Sequence, residues 1–167
     1  ASRADAVRLL VRHFVDPAIG AVGGQLRYTR PGAGAAGRGE LLYWRYENFL
    51  KRREGETGSL IGVNGAIYTV RRDLYRRLDA HLMSDLAISL RIRELGCRTV
   101  FEPAAIATEQ VYESIRTTFA VKRRIILRAL TTIRSEARFL NPLRFKFYAV
   151  KLFSHKLLRW LVPVFLL

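Results

Sequence analysis

Helical and extended hydrophobic patterns alternate in the first half of the chain. Apolar residues at every third or fourth position predict an amphipathic helix over residues 4–14, which Asp16-Pro17 ends. A second helix, rich in aromatic residues, is predicted after Gly39. Its pattern separates an apolar side from a basic side. The apolar side carries Leu42, Tyr46, Phe49 and Leu50, and the basic side carries Arg45, Lys51, Arg52 and Arg53.

The second half of the chain is mainly helical in its pattern. A helix is predicted after Ser84, which is a typical capping residue, and Gly96 closes it. A long basic helix follows over residues 114–138. Residues 141–159 alternate cations with Phe, Tyr and Leu, which is typical of a helix that lies along a membrane surface.

Extended stretches separate these helices. Strands are predicted over residues 19–28, where three glycines allow a close approach of the backbone, over 66–70, and over 98–102, which Pro103 stops. The composition of residues 31–39 predicts a Gly/Ala loop. Strands that alternate with helices predict an α/β layer structure, followed by an all-helical tail.

Composition limits the kinds of partner and site. The chain has 167 residues, half of them hydrophobic, and a formal net charge of +15, which attracts nucleic acid, anionic lipid or phosphate-bearing substrates. The single Cys97 excludes an intramolecular disulfide framework and a cysteine-rich zinc site. The three histidines show no zinc spacing either, so no metal ligand is predicted among these residues.

Both ends of the chain suggest that it is a piece of a longer protein. It begins without methionine inside a predicted helix, and it stops within an apolar run over residues 161–167. We expect residues 160–167 to be the start of a transmembrane helix, because cations and aromatics flank the run as at a membrane interface. The alternative is an amphipathic helix packed on the protein's own core.

Asp85 is the most informative acidic residue. It lies in the first turn of a predicted helix, where the positive end of the helix dipole keeps a carboxylate ionised. Such a carboxylate can act as a general base toward an acceptor hydroxyl group. On local sequence alone the commoner role is structural, with Ser84 capping the helix and Asp85 interacting with its dipole.

Two further features could bind a ligand. Arg124 and Arg128 share one face of the basic helix, so their guanidinium groups could hold a diphosphate. A solvated or lipid-facing basic surface is the commoner interpretation of such a pattern. The loop Gly62-Val63-Asn64-Gly65 allows a ligand to approach the backbone closely. It lacks the pattern of a phosphate-binding loop, and loops of this composition are common.

The order of several segments is more specific than any one motif. They are Val15-Asp16-Pro17, Gly20-Ala21-Val22-Gly23-Gly24, Leu42-Tyr43-Trp44-Arg45-Tyr46-Glu47, Gly62-Val63-Asn64-Gly65-Ala66-Ile67-Tyr68, Arg71-Arg72, Ser84-Asp85, Ser89-Leu90-Arg91-Ile92, Phe101-Glu102-Pro103 and Ser154-His155-Lys156-Leu157-Leu158-Arg159-Trp160. In this order the chain resembles the middle of family 2 glycosyltransferases, in their membrane-bound, cellulose-synthase-like and hyaluronan-synthase-like branch.

The resemblance implies a fold and roles for single residues. The expected fold is the acceptor half of a GT-A-like nucleotide-sugar transferase domain over residues 1–112, with basic interfacial helices over 113–159. Asp85 holds the place of the catalytic base, which takes the proton of the acceptor hydroxyl during inverting transfer. Arg124 falls on the arginine that helps to hold the leaving diphosphate. Gly62, Asn64 and Gly65 would line the acceptor side.

Departures from the family pattern affect the expected activity. Ser84 stands where many members carry Glu, and Leu86 where close relatives carry a second acid. Val121 and Ile125 occupy the Gln and Trp positions of the Gln-x-x-Arg-Trp motif. Transfer of one or a few sugars is therefore as consistent with the sequence as polymerisation.

The resemblance also implies partners that the chain does not bind by itself. The nucleotide-binding half and its Asp-x-Asp motif, which holds Mg²⁺ or Mn²⁺, would precede Ala1, so this piece alone is expected to be inactive. The expected donor is a nucleotide-diphosphate sugar, in particular a UDP-sugar. The expected acceptor is a hydroxyl group of a glycan or of a lipid-linked molecule. The basic flank before Leu161 indicates that the site lies on the cytoplasmic face of a membrane. The expected membrane is a bacterial inner membrane, and its anionic lipid is the expected partner of the basic residues.

Two other functional classes remain open. One is a noncatalytic basic module that binds nucleic acid or an anionic membrane, since aromatics and cations are interleaved over residues 144–148. No recognised nucleic-acid motif is present, so nucleic acid is not the expected partner. The other is a degenerate enzyme that keeps the fold and the lipid contact without catalysis.

Overall fold

A three-stranded sheet carries helices on both of its faces. The computed structural model describes residues 5–29, 35–56, 58–110 and 115–158. The strands are β1 (Ile19–Thr29), β2 (Tyr68–Val70) and β3 (Arg98–Gln110), in the spatial order β2-β1-β3. β1 pairs with β2 in antiparallel and with β3 in parallel orientation. The predicted α/β class is confirmed.

The described helices are α1 (Ala6–Val11), α2 (Ala35–Glu56), α3 (Ser84–Glu94), α4 (Ile115–Ser135), α5 (Pro142–Phe145) and α6 (Phe147–Lys151). Short 3₁₀ helices span Arg12–Val15, Arg72–Leu74 and Ala137–Leu140, and a π-helix spans Leu152–Leu158. The predicted first and third helices correspond to α1 with its 3₁₀ extension and to α3. Residues 35–39, predicted as part of a Gly/Ala loop, belong instead to α2, which begins at Ala35. The rest of the predicted loop, residues 31–34, lies outside the described residues.

Alternation along β1 directs neighbouring side chains to different helices. Val22 packs in one buried cluster with Leu10 of α1, whereas Ala21 packs with Ile88 and Ile92 of α3. Successive side chains of a strand point to opposite faces of its sheet. α1 and α3 therefore cover opposite faces, and β1 fixes the position of α3.

Gly24 allows the third strand to come very close to the first. A Cβ atom at this position would lie 2.5 Å from the carbonyl oxygen of Ala105 and 2.9 Å from Cγ2 of Ile67. The expected close approach over the glycines of β1 is thus confirmed, and what approaches the backbone of Gly24 is the chain itself.

β3 does not stop at Pro103, as the sequence led us to expect, but continues to Gln110. Its register against β1 jumps from the pair Gly24–Glu102 to the pair Gln25–Ile106. Three residues of β3 are therefore inserted without partners on β1. Proline is tolerated at such a bulge because the ladder needs no N–H donor there.

Glu102 ties this bulge to the helix on its face. Its carboxylate accepts hydrogen bonds from Arg12 Nη2 at 2.6 Å and from the N–H of Ala104 at 2.9 Å, and it contacts His13 Nε2 at 2.8 Å. Burial alone would raise the pKa of Glu102, but these contacts outweigh it and hold the pKa below its usual value. Glu102 is thus a structural carboxylate that stays ionised.

α2 buries charged residues and exposes apolar ones. Leu42, Tyr46 and Phe49, on the side that the pattern marks as apolar, are exposed. Glu47, Lys51 and Glu54 are buried instead, although Lys51 was assigned to the basic side. The buried side faces the C-terminal π-helix, which supplies partners for the two glutamates: Lys156 for Glu47 and His155 for Glu54.

The C-terminal helices share a core with α3. Phe139, Phe145 and Leu152 form one buried cluster with Leu86 and Leu90 of α3. The predicted long basic helix corresponds to α4, which is slightly shorter than expected. No helix of the described residues is long and apolar enough to span a membrane. Residues 160–167, predicted to begin a transmembrane helix, lie outside the described residues.

The close approach at Gly24 gives a test of the fold. Gly24→Ala should lower the free energy of unfolding by about 1–3 kcal/mol, because the new methyl group meets a backbone oxygen that cannot move aside alone. Gly55→Ala in α2 is the matched control, since its Cβ would have only ordinary contacts at 3.8 Å with Phe101. Denaturant unfolding should show no loss for this control, and equal stability of the two variants would contradict the packing of β1 described above.

Candidate active site

Asp85 lies in the first turn of α3 and is partly exposed. Its Oδ1 accepts a hydrogen bond from the N–H of Leu86 at 2.9 Å. The expected capping by Ser84 is wrong, because the capping position is Met83, whose side chain makes no capping hydrogen bond. The carboxylate of Asp85 is therefore the acidic group at the positive end of this helix dipole.

The glycine loop over residues 62–65 packs directly against Asp85. The N–H of Val63 lies 3.2 Å from the carbonyl oxygen of Asp85 and 3.2 Å from Oγ of Ser89, which both accept from it. A Cβ atom at Gly65 would lie 3.8 Å from Oδ2 of Asp85. Two of the features singled out in the sequence, the loop and the acid, are thus brought together.

Asn64 presents an unused donor in this loop. The side chain is buried, and its Oδ1 accepts from the N–H of Ala66 at 3.4 Å. Its Nδ2 has no hydrogen-bond partner within the part of the chain that the structure describes. A buried amide donor without a partner is costly, so Asn64 is a candidate for binding a hydroxyl or carbonyl oxygen of a ligand.

Two lysines from different helices lie near the carboxylate. Lys51 comes from α2, and Lys156 from the π-helix, where its Nζ donates to Glu47 Oε1 at 3.2 Å. Lys51 is only 5% exposed. Burial, with repulsion from Lys156, lowers the pKa of Lys51 from 10.5 to about 8, although Glu47, Asp85 and Glu54 act in the opposite direction.

Burial dominates the acidity of Asp85. It raises the pKa of the carboxyl, and the charge of Lys156, the N–H of Leu86 and the charge of Lys51 offset only part of this effect. The carboxylate is therefore more basic than an ordinary aspartate. A general base in an active site needs this property.

Tyr68 is a further polar group near Asp85. Burial, with Tyr75 and Asp85 adding to it, raises the pKa of the Tyr68 hydroxyl, while a hydrogen bond with Ser84 acts in the opposite direction. The hydroxyl therefore remains protonated at neutral pH. Ser84, the residue expected to cap the helix, instead interacts with this tyrosine.

The two arginines of α4 have different surroundings. Arg128 donates to the carbonyl oxygens of Ala80 at 3.1 Å and Leu82 at 2.6 Å, so it anchors the segment before α3. Arg124, one turn earlier, is exposed, and its guanidinium group makes no hydrogen bond or ion pair with any other residue that the structure describes. The expected pairing of both guanidinium groups on one ligand is therefore not what this arrangement favours.

The sequence reasoning missed Glu47, Lys51, Tyr68 and Lys156. A signal for the first two exists, because Glu47, Lys51 and Glu54 recur at the spacing of one helix face and carry opposite charges. Nothing in the local sequence indicates a role for Lys156, since its hydrogen-bond partner Glu47 lies more than 100 residues earlier in the chain.

No three His, Cys, Asp or Glu side chains among the described residues come together in a way that could hold a metal ion. That Mg²⁺ or Mn²⁺ binds through an Asp-x-Asp motif outside this chain stays a prediction.

Comparisons with known protein families and with curated protein sequences find no match to this chain.

The buried ammonium group of Lys51 can be tested through stability. Between about pH 8 and about pH 10.5 the unfolded state holds the Lys51 proton that the folded state has lost. The free energy of unfolding of the wild type should therefore rise relative to Lys51→Met across this window, by on the order of 3 kcal/mol.

Urea unfolding at several pH values measures this difference. Lys146→Met is the control because Lys146 is exposed, and it should change the unfolding free energy by no more than about 0.5 kcal/mol. A constant difference between wild type and Lys51→Met across the window would contradict a buried, destabilised charge at this position.

Proposed function

We propose that the chain forms the acceptor half of a glycosyltransferase that moves a sugar, with inversion, from a nucleotide-diphosphate sugar to a hydroxyl acceptor. One observation carries the proposal. The partly exposed carboxylate of Asp85, with its raised pKa, lies beside a loop that presents the unpartnered donor of Asn64. A base next to a buried, unused hydrogen-bond donor is what an acceptor hydroxyl requires.

The proposed reaction assigns each residue one task. Asn64 Nδ2 donates to an oxygen of the acceptor, and the exposed backbone at Gly65 lets the acceptor lie close to the loop. Gly62 lines the buried side of the loop, against Asp85 and Lys156. Asp85 takes the proton of the acceptor hydroxyl as its oxygen attacks the anomeric carbon. A new carbon–oxygen bond forms, and the bond to the diphosphate breaks with its electron pair leaving on the diphosphate.

Arg124 is proposed to stabilise the negative charge that develops on the leaving diphosphate. Its support is that the guanidinium group is free of partners in the described residues and lies on the helix that contacts the segment just before Asp85. A divalent metal ion supplied by residues outside this chain would neutralise part of the same charge. No step of the acceptor side depends on that ion.

A membrane location and a GT-A-like fold belong to the same proposal. The C-terminal helices expose Leu143, Phe147, Val150 and Phe153, with Leu143 91% exposed. With the basic excess of the chain, this apolar surface suits contact with anionic lipid at the cytoplasmic face of a membrane. A UDP-sugar is the proposed donor, and a glycan or lipid-linked hydroxyl the proposed acceptor.

The site favours this proposal over a noncatalytic basic module. Binding of nucleic acid or lipid requires exposed cations, and it gives no role to a carboxylate with a raised pKa beside an unpartnered amide. Steep salt dependence of tight nucleic-acid binding would favour the module instead.

Replacing the proposed base is the first test. Asp85→Asn in the complete enzyme should lower the transfer rate by about 100-fold or more, because the amide cannot accept the proton, while nucleotide-sugar binding is retained. In the wild type, transfer should fall as the pH drops through the raised pKa of Asp85, because the base is then protonated.

The control for this test is Asp79→Asn, which changes an exposed aspartate of the segment before α3. It should retain wild-type transfer. Near-normal transfer by Asp85→Asn would remove Asp85 from the role of base.

The role of Arg124 is tested with a second arginine of the same helix. Arg124→Gln should lower the transfer rate by about 10- to 1000-fold and weaken binding of the nucleoside diphosphate product, because it removes a cation from the leaving group. Arg134→Gln, also exposed on α4, should leave both quantities unchanged. Equal effects of the two variants would show that only the general charge of α4 matters.

A further inference from the structure

The C-terminal π-helix reaches back to the proposed site through two adjacent side chains. Lys156 Nζ binds Glu47 Oε1 at 3.2 Å, and His155 Nδ1 contacts Glu54 Oε1 at 3.0 Å. The two carboxylates lie seven positions apart, which is two turns of α2. One turn of the C-terminal helix is therefore attached to α2 at two points.

Both attachments also lie next to the glycine loop beside Asp85. Glu54 Oε2 accepts from the N–H of Ile61 at 3.2 Å, immediately before Gly62. A Cβ atom at Gly62 would lie 3.8 Å from Cε of Lys156 and 3.8 Å from the carbonyl oxygen of Asp85. The stem of Lys156 and the backbone of Asp85 thus border the same side of Gly62.

The Lys156–Glu47 pair is shielded from water. The side chains of Lys156 and Glu47 are 13% and 7% exposed. A pair so shielded is held in one geometry, because separating it would leave a buried charge without a partner. Lys156 is therefore a fixed positive charge and not a mobile surface lysine.

We infer that Lys156 is a positioning residue for Asp85: held by Glu47, it keeps the carboxylate ionised and in place against the glycine loop. The inference deepens the proposed function and rests on it, since it assumes that Asp85 is the base. Its consequence is that the acceptor half of the site is complete only when the C-terminal helices are packed on α2.

Several charged groups act on Asp85 from the elements around it. The cations that act directly on Asp85 are Lys156 of the π-helix and Lys51 of α2. Glu47 and Glu54 of α2 act on Lys51, and Asp85 itself acts on Tyr68 of β2. Lys156 has the largest effect among the charges that lower the pKa of Asp85, ahead of Lys51. Lys51 loses its own proton at about pH 8, so its charge acts on Asp85 only below that pH.

The test combines transfer with a direct titration of the carboxyl group. Lys156→Met should raise the pKa of Asp85 and shift the acidic limb of the pH–rate profile upward by about one to two pH units. Lys156→Arg should restore both, because it keeps the charge. The Asp85 carboxyl is followed by ¹³C NMR, with Asp85→Asn to assign its signal, and Lys146→Met is the exposed control.

The NMR titration separates failure of this inference from failure of the proposed function. Equal upward shifts of the carboxyl pKa and of the acidic limb support both. A shifted carboxyl pKa with an unchanged pH–rate profile supports the coupling of Lys156 to Asp85 and overturns Asp85 as base. An unchanged carboxyl pKa in Lys156→Met overturns the inference, whatever the transfer rate.

A second variant keeps the test valid if Lys156→Met fails to fold. Glu47→Gln combined with Lys156→Met removes both members of the buried pair, so that no charge is left unpaired. The carboxyl pKa of Asp85 in this double variant should remain above that of the wild type, because Lys156 is the charge that lowers this pKa most. A carboxyl pKa at or below the wild-type value would overturn the inference.

Discussion

The buried charges of α2 are the constraint on which the site depends. Glu47, Lys51 and Glu54 are removed from water, and a buried charge is tolerated only where opposite charges or hydrogen bonds compensate it. Lys156 and His155 provide that compensation for Glu47 and Glu54, so α2 and the C-terminal helix require each other. The glycine loop lies beside both, and Asp85 inherits its electrostatic surroundings from this arrangement.

Local pattern predicts those parts of the fold in which local and tertiary preferences agree. The class, the first strand (predicted over residues 19–28) and the helix closed by Gly96 were predicted, because alternation and helix-end residues act locally. The continuation of β3 past Pro103 was not predicted. It depends on a bulge that follows the Gly24–Glu102 pair, and the strand that forms this pair, β1, lies far away in the sequence. The orientation of α2 was missed because its buried side is charged, which inverts the usual hydrophobic pattern.

The site was predictable to a similar extent. Asp85 and the loop with Asn64 could be found because their residue types and their order carry a chemical meaning. Their contact, the engagement of Arg128 by backbone carbonyls and the approach of Lys156 could not, because each depends on the packing of separate elements. A lysine near the end of the chain acquires a role only when the helix that carries it is folded onto α2.

The C-terminal helices consequently have two different faces. One face carries Lys156 and His155 to α2 and shares the core of α3, while the other exposes Leu143, Phe147 and Val150. A surface that binds the exposed face also stabilises the packed arrangement of these helices, by simple linkage. If that surface is a membrane, as proposed, binding to lipid and the ionised state of Asp85 are coupled through the Lys156–Glu47 pair. The proposed base is then most fully ionised when the protein is bound to the membrane, where a lipid-linked acceptor would lie.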